Sequence, residues 1–167
     1  MEARDLYEWK VAHEGSGRTP NIRSSAASWH YKDALWMVCG SGSGLGKASE
    51  VWRFDLGSHQ WSRFEVAGDS PPSRDGLSGT YIGEGKFVLF GGQGFAERNV
   101  KLGREAESLR TQTHSKRDVL NDLWLLDCEA ATWTPIYPDG LQFPMGRRGH
   151  SCTYLAPSGG GGGGGGE

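Results

Sequence analysis

Apolar and polar positions alternate along this chain in short stretches with a period of two, and the stretches recur in one order. Ser24 to Trp29, Leu77 to Ile82 and His150 to Leu155 each follow an arginine and are predicted as first strands. Leu35 to Cys39 and Lys86 to Phe90 are nearly continuous apolar runs, a pattern that suits a second strand buried on both faces. Third strands are predicted over Val51 to Asp55 and Asp122 to Asp127, and fourth strands over Trp61 to Val66 and Trp133 to Ile136. Between them, Leu56-Gly57-Ser58 and Ile82-Gly83-Glu84-Gly85 are short enough to close antiparallel hairpins. No helix of useful length appears in these units.

The order is a repeat. Arg23 to Arg74 spans 51 residues, as does Gly40-Ser41 to Gly91-Gly92, whereas Asp55 to Asp127 and Trp61 to Trp133 both span 72. The difference between the two spacings is an insertion in the second copy. In both copies an Asp is followed by a Trp after five intervening residues, which reads as a strand, a tight turn and a second strand closed by an indole. Before the first full copy, Trp9 in Tyr7-Glu8-Trp9-Lys10-Val11 stands in the role of Trp61 and Trp133. The chain thus divides into 1–22, an outer strand and loop; 23–66, one repeat; 67–136, a second repeat with a charged insertion at 94–118; 137–156, the start of a further repeat; and 157–167, a glycine-rich tail. Self-similarity at this period points to a repeat array.

These residues resemble the kelch family of β-propellers. The resemblance rests on Gly91-Gly92 after Phe87-Val88-Leu89-Phe90, on Asn121-Asp122-Leu123-Trp124-Leu125-Leu126-Asp127, on Trp133, and on Arg148-Gly149-His150-Ser151. It implies an all-β fold of four-stranded antiparallel blades, covering roughly residues 5–155, and a role as a protein-interaction module. Ser41 departs from the second glycine, Ala26 stands where His150 does, and Phe54 and Leu126 occupy a position where the family usually carries Tyr.

The motif residues also have physical roles of their own. Adjacent glycines after a strand permit positive φ and a close approach of the neighbouring blade, which is the role expected of Gly40, Gly91 and Gly92. Trp61 and Trp133 can bury large apolar areas with each N–H directed to a carbonyl, and Asp55 and Asp127 can accept hydrogen bonds from turn amides.

Length bears on the architecture. A closed propeller needs about four blades, or roughly 200 residues at about 50 per blade, and this chain has 167. It supplies about two and a half blades, and so reads as an incomplete propeller, part of a larger protein or one completed by another chain.

Charge and composition exclude more than they assign. The net charge of −2 gives no global basic field for nucleic acid. No apolar run approaches a membrane span, and the N-terminus lacks a signal peptide's apolar core. Three cysteines, Cys39, Cys128 and Cys152, show no pairing pattern, so the expected location is intracellular and cytoplasmic. Five scattered histidines form no metal set, His150 and Cys152 being two ligands where three or four are needed. The loop from Gly40 to Ser49 fails as a phosphate loop, because Ser41 and Ala48 stand where glycine and a hydroxyl are required. No catalytic residue, cofactor or metal is therefore assigned.

Two sets of residues remain as candidates for binding a partner protein. From Ala96 to Arg117 the insertion carries Arg98, Lys101, Arg104, Arg110, Lys116 and Arg117 against three glutamates, a local excess of three positive charges. Long loops on a rigid scaffold often carry binding, and an acidic partner surface fits this one. Arg23, Arg74, Arg147 and Arg148 recur at the entrance to each first strand and are expected on a rim of the central channel. Alternative readings are a metal-dependent propeller oxidase or lyase, and a glycan-binding propeller with Trp29 or Trp36 as stacking platforms.

Overall fold

The computed structural model describes residues 10–12, 17–42, 49–94, 118–138 and 144–156. Its strands are β1 (Ala27–Tyr31), β2 (Ala34–Val38), β3 (Val51–Asp55), β4 (Gln60–Phe64), β5 (Arg74–Asp75), β6 (Ser78–Gly83), β7 (Lys86–Gly94), β8 (Asp118–Asp127) and β9 (Thr132–Ile136). They form two antiparallel sheets. The first runs β1-β2-β3-β4; in the second, β5 and β6 both pair with β7, which continues to β8 and β9. Each sheet is thus a meander of four positions, the blade expected from the repeat, and the described residues form no closed ring.

Register decides which side chains meet. Trp29 is opposite Trp36, and Trp36 opposite Arg53, so alternation places Ala27, Trp29, Ala34, Trp36, Val38 and Val51 on one face of the first sheet. Tyr81, Phe87, Leu126 and Trp133 align likewise across the second. These two faces pack together. Trp29 lies flat on Phe87 with ring centroids 3.9 Å apart, and Tyr31 meets Tyr81 at 5.5 Å. At one end of the interface Gly40 N–H donates to the Arg74 carbonyl at 2.9 Å. At the other, the Tyr31 hydroxyl donates to Glu129, whose carboxylate also pairs with Lys32 at 2.7 Å.

Several expectations are corrected. β2 and β7 alternate between buried and less buried positions, with Leu35 45% exposed, because each sheet has only one face in the inter-sheet core. Residues 150–155 form no strand, lacking a ladder partner among the described residues. Gly94 and Asp118 belong to β7 and β8 and pair with each other, so the insertion proper is 95–117. Trp61 is only half-buried against Phe54, and the buried Trp133 indole N–H has no hydrogen-bond partner among the described residues. The Tyr7 to Trp9 segment and the tail, 157–167, lie outside the described residues.

The repeat alignment itself shifts by one residue at the glycines. Cys39 and Gly40 have φ of 62° and 96°, matching Gly91 and Gly92 at 62° and 97°. Cys39, not Ser41, is therefore the departure from the glycine pair. A β-carbon at Gly40 would stand 2.8 Å from the Ser24 carbonyl, and one at Gly92 2.9 Å from that of Asp75. Gly40→Ala and Gly92→Ala should each cost about 1–3 kcal/mol of stability. Ser41→Gly should gain nothing, since Ser41 has no positive φ to relieve. Urea midpoints of the three variants check this; a stabilised Ser41→Gly would restore the alignment read from sequence.

Candidate functional site

The recurring arginines gather at the end of the sheets where β2 and β7 finish. Each is placed by one local device, a guanidinium folded back on its own chain. Nε donates to the carbonyl two residues earlier, Asn21 for Arg23 (3.1 Å), Pro72 for Arg74 (3.0 Å) and Met145 for Arg147 (3.0 Å). In the two complete copies Nη1 also reaches the carbonyl at the glycine-pair position, that of Cys39 (3.2 Å) or Gly91 (3.0 Å).

A carboxylate completes the arrangement. Arg74 forms a two-pronged pair with Asp122 at 2.5 and 2.7 Å, and the Trp124 indole N–H donates to the same carboxylate at 2.7 Å. The first copy repeats this more loosely, with Arg23 4.0 Å from Glu50 and Trp52 donating to Glu50 at 3.2 Å. Burial lowers the Arg23 pKa from its ordinary value, with Glu50 opposing. Glu50 and Asp122 did not stand out in the sequence as counter-charges. The available signal was their spacing of 72, the same as that of Asp55 and Asp127, with a Trp two residues after each.

The arginine candidates separate by exposure. Arg74 is 1% exposed and its donors are spent on Asp122, Gly91 and Pro72, so it is removed from the partner-binding set. Arg23 has its side chain similarly enclosed. Arg147 and Arg148 are exposed. Arg147 has no acidic partner among the described residues, and Arg148 donates to Gln93. Met145, which holds Arg147 Nε through its carbonyl, is 82% exposed. Arg98, Lys101, Arg104, Arg110, Lys116 and Arg117 lie outside the described residues, but the stems of their segment do not. Gly94 pairs with both Arg74 and Asp118, so the insertion leaves from the arginine end.

Other candidates resolve as framework. Asp55 accepts from the Gly57 and Ser58 amides (3.1 and 2.8 Å), and Asp127 from those of Glu129 and Ala130 (2.9 and 2.8 Å). Those amide bonds are the leading cause holding both carboxyls below their ordinary pKa. Trp29 and Trp36 are buried between the sheets and offer no stacking platform to a glycan. Burial raises the Cys39 thiol pKa to about 12, against the pull of Arg74 and Arg23. Among the described residues no group of three or more His, Cys, Asp or Glu is arranged to hold a metal.

Two stacked four-stranded meanders with this arginine, glycine-pair and Asp-turn framework agree with a match over residues 5–158 to the family model for the KLHDC2/KLHL20/DRC7 Kelch-repeats domain. The chain belongs to the kelch-repeat family. Its relatives include Acyl-CoA-binding domain-containing protein 4 of Arabidopsis thaliana, 30% identical over 93% of this chain and 22% of the relative. Kelch domain-containing protein 2 of Homo sapiens is 26% identical over 90% of this chain and 38% of that protein. The chain therefore spans between about a fifth and two fifths of these relatives' length. Among solved structures, that of YjhT superimposes with a TM-score of 0.58 at 18% identity, over 84% of this chain and 34% of that one. That likeness concerns the fold alone; together with the family match it fits two sheets that are propeller blades, and the described residues close no ring. No helix among the described residues is long and apolar enough to cross a membrane.

Proposed function

We propose that this chain is a non-catalytic protein-interaction module, a scaffold or adaptor within a larger protein or assembly. Its contact surface is the arginine end of the blades together with the segment 95–117. One observation carries this reading: the insertion is rooted in paired β7–β8 stems beside Arg74, at the end that exposes Arg147, Arg148 and Met145. A rigid stem limits the entropy lost when such a loop binds. The six basic residues of 96–117 and two exposed arginines favour an acidic partner surface, and electrostatic steering makes capture depend on salt.

The test uses an array of acidic, neutral and basic peptides presented to the 167-residue chain. Binding should favour the acidic peptides, weaken as salt rises, and fall at least about tenfold when 96–117 is replaced by a short Gly-Ser turn, a loss of about 1.4 kcal/mol. The urea midpoint should hardly move, since the turn can close on the Gly94 and Asp118 pair. Unchanged acidic-peptide binding after the deletion would remove the insertion from the contact surface. Equal binding to all three peptide classes would remove the charge argument.

A further inference from the structure

The third copy of the arginine device lies on residues 145–150, a segment docked on the second sheet. Gly92 N–H donates to the Arg147 carbonyl at 2.9 Å, Arg147 N–H to that of Leu120 at 3.2 Å, and Gly149 N–H to that of Gly76 at 2.8 Å. At its end His150 sets its ring edge-on to Phe90, with centroids 5.4 Å apart and planes at 83°. The imidazole also closes over Gly91, where a β-carbon would stand 3.2 Å from its Cε1. Both ring nitrogens are buried, and neither has a hydrogen-bond partner among the described residues.

The docked segment thus uses a titratable ring as an apolar wedge. A neutral imidazole tolerates this site at the cost of one donor and one acceptor left unsatisfied. A proton adds a second N–H without an acceptor and a charge in an apolar contact. The charged groups on the surrounding elements are Arg147 and Arg148 on the segment itself, Arg74 and Asp75 on β5, and Asp118 and Asp122 on β8, while Lys86 and Asp127 pair at the far end of the β7–β8 ladder. Arg74 and Asp122 satisfy each other, and Arg148 is held by Gln93. Asp75 has interactions of its own. The charge of Arg147 acts on the ring and opposes protonation.

We infer that His150 is an acid-released latch: its protonation undocks residues 145–150 from the second sheet and carries Arg147 and Arg148 out of place at the arginine end. The latch stands independently of the interaction reading above, and that reading gives it a consequence, since two of the exposed cations ride on the segment.

The direction with pH follows from linkage. Burial first, and Arg147 second, lower the His150 pKa in the docked state below its ordinary value. The undocked ring therefore takes up the proton more readily. Docking is at full strength above about pH 6.5 and is lost as the pH falls through the lowered docked value. Each unit between the two pKa values permits about a tenfold change in the docking equilibrium.

Amide hydrogen exchange across this range, corrected for intrinsic rates, tests the latch. Protection of the Arg147, Gly149 and Gly92 amides should fall severalfold between about pH 7.5 and about pH 5, while the β2 and β3 amides keep theirs. His150→Phe retains an aromatic edge against Phe90 and should make docking independent of pH. Arg147→Gln removes the opposing charge and should make the loss shallower. Acid loss of equal size in His150→Phe would overturn the proposal. So would a uniform loss across both sheets in the wild-type chain, a result that stands even if the variant fails to fold.

Discussion

Arg74→Met is expected to lower the stability of the fold by about 3–5 kcal/mol, the usual cost of removing one partner from a buried ion pair. The cause is what remains behind. Asp122 would keep its charge in a largely enclosed site, with the Trp124 indole still donating to it, and the Gly91 carbonyl would lose its guanidinium. Domains are typically stable by only about 5–15 kcal/mol, so the variant should sit near the edge of folding at 25 °C. Urea denaturation followed by tryptophan fluorescence measures the loss. Arg74→Met/Asp122→Leu should recover much of it, because an apolar pair removes the stranded charge together with its partner. Arg23→Met should cost far less, since the Arg23–Glu50 pair is already 4.0 Å apart and Glu50 keeps Arg63 at 3.1 Å. Equal losses at Arg23 and Arg74 would show that the two blades share stability in a way their geometry does not suggest.

Phe87→Ala should have a comparable effect, about 3–5 kcal/mol. The ring is fully buried and holds the two sheets together through its 3.9 Å stack on Trp29, so its removal opens a cavity at the blade interface. Gly79 explains how the ring fits. A β-carbon there would lie 2.2 Å from Phe87 Cζ, so the missing side chain of β6 is the space the ring occupies. Gly79→Ala should therefore cost about 1–3 kcal/mol through overpacking. The double variant Phe87→Ala/Gly79→Ala should lose less than the sum of the two, because the smaller residue at 87 makes room for the new methyl group. Strict additivity would show that the two positions do not compete for the same volume. Trp29 emission provides a local readout, since losing its stacking partner should change it even where the global transition shifts little.

Much of this architecture was legible in the chain because strands and turns are local. Val51 to Asp55 needs only its alternation and the Asp-turn that follows, and Asp55 closes that turn with amides two and three residues away. Asp127 does the same. The strand predicted at His150 to Leu155 failed for the opposite reason, since a strand needs a ladder and no partner lies beside it among the described residues. The one-residue error at the glycines has a similar origin. Residue identity favoured aligning Gly40-Ser41 with Gly91-Gly92, whereas the backbone requires positive φ at Cys39 and Gly40. A buried cysteine there met the demand for a small residue without meeting the usual demand for glycine.

The candidate site divides along the same line. Recurrence of Arg23, Arg74 and Arg147 was visible at once, because each sits just ahead of a strand-like segment. Their unequal accessibility was not. Arg74 and Asp122 are 48 residues apart and meet only because β5 and β8 both flank β7. The chain by itself determined the repeat, the strands and the Asp-turns, since each depends on contacts within a few residues. Only the tertiary structure decided that Arg74 is an internal strut, that Arg147 and Arg148 face outward, and that the stems of the insertion, Gly94 and Asp118, end at the same end of the sheets. Those outcomes depend on which carboxylate and which carbonyls the sheet register brings within reach of each guanidinium.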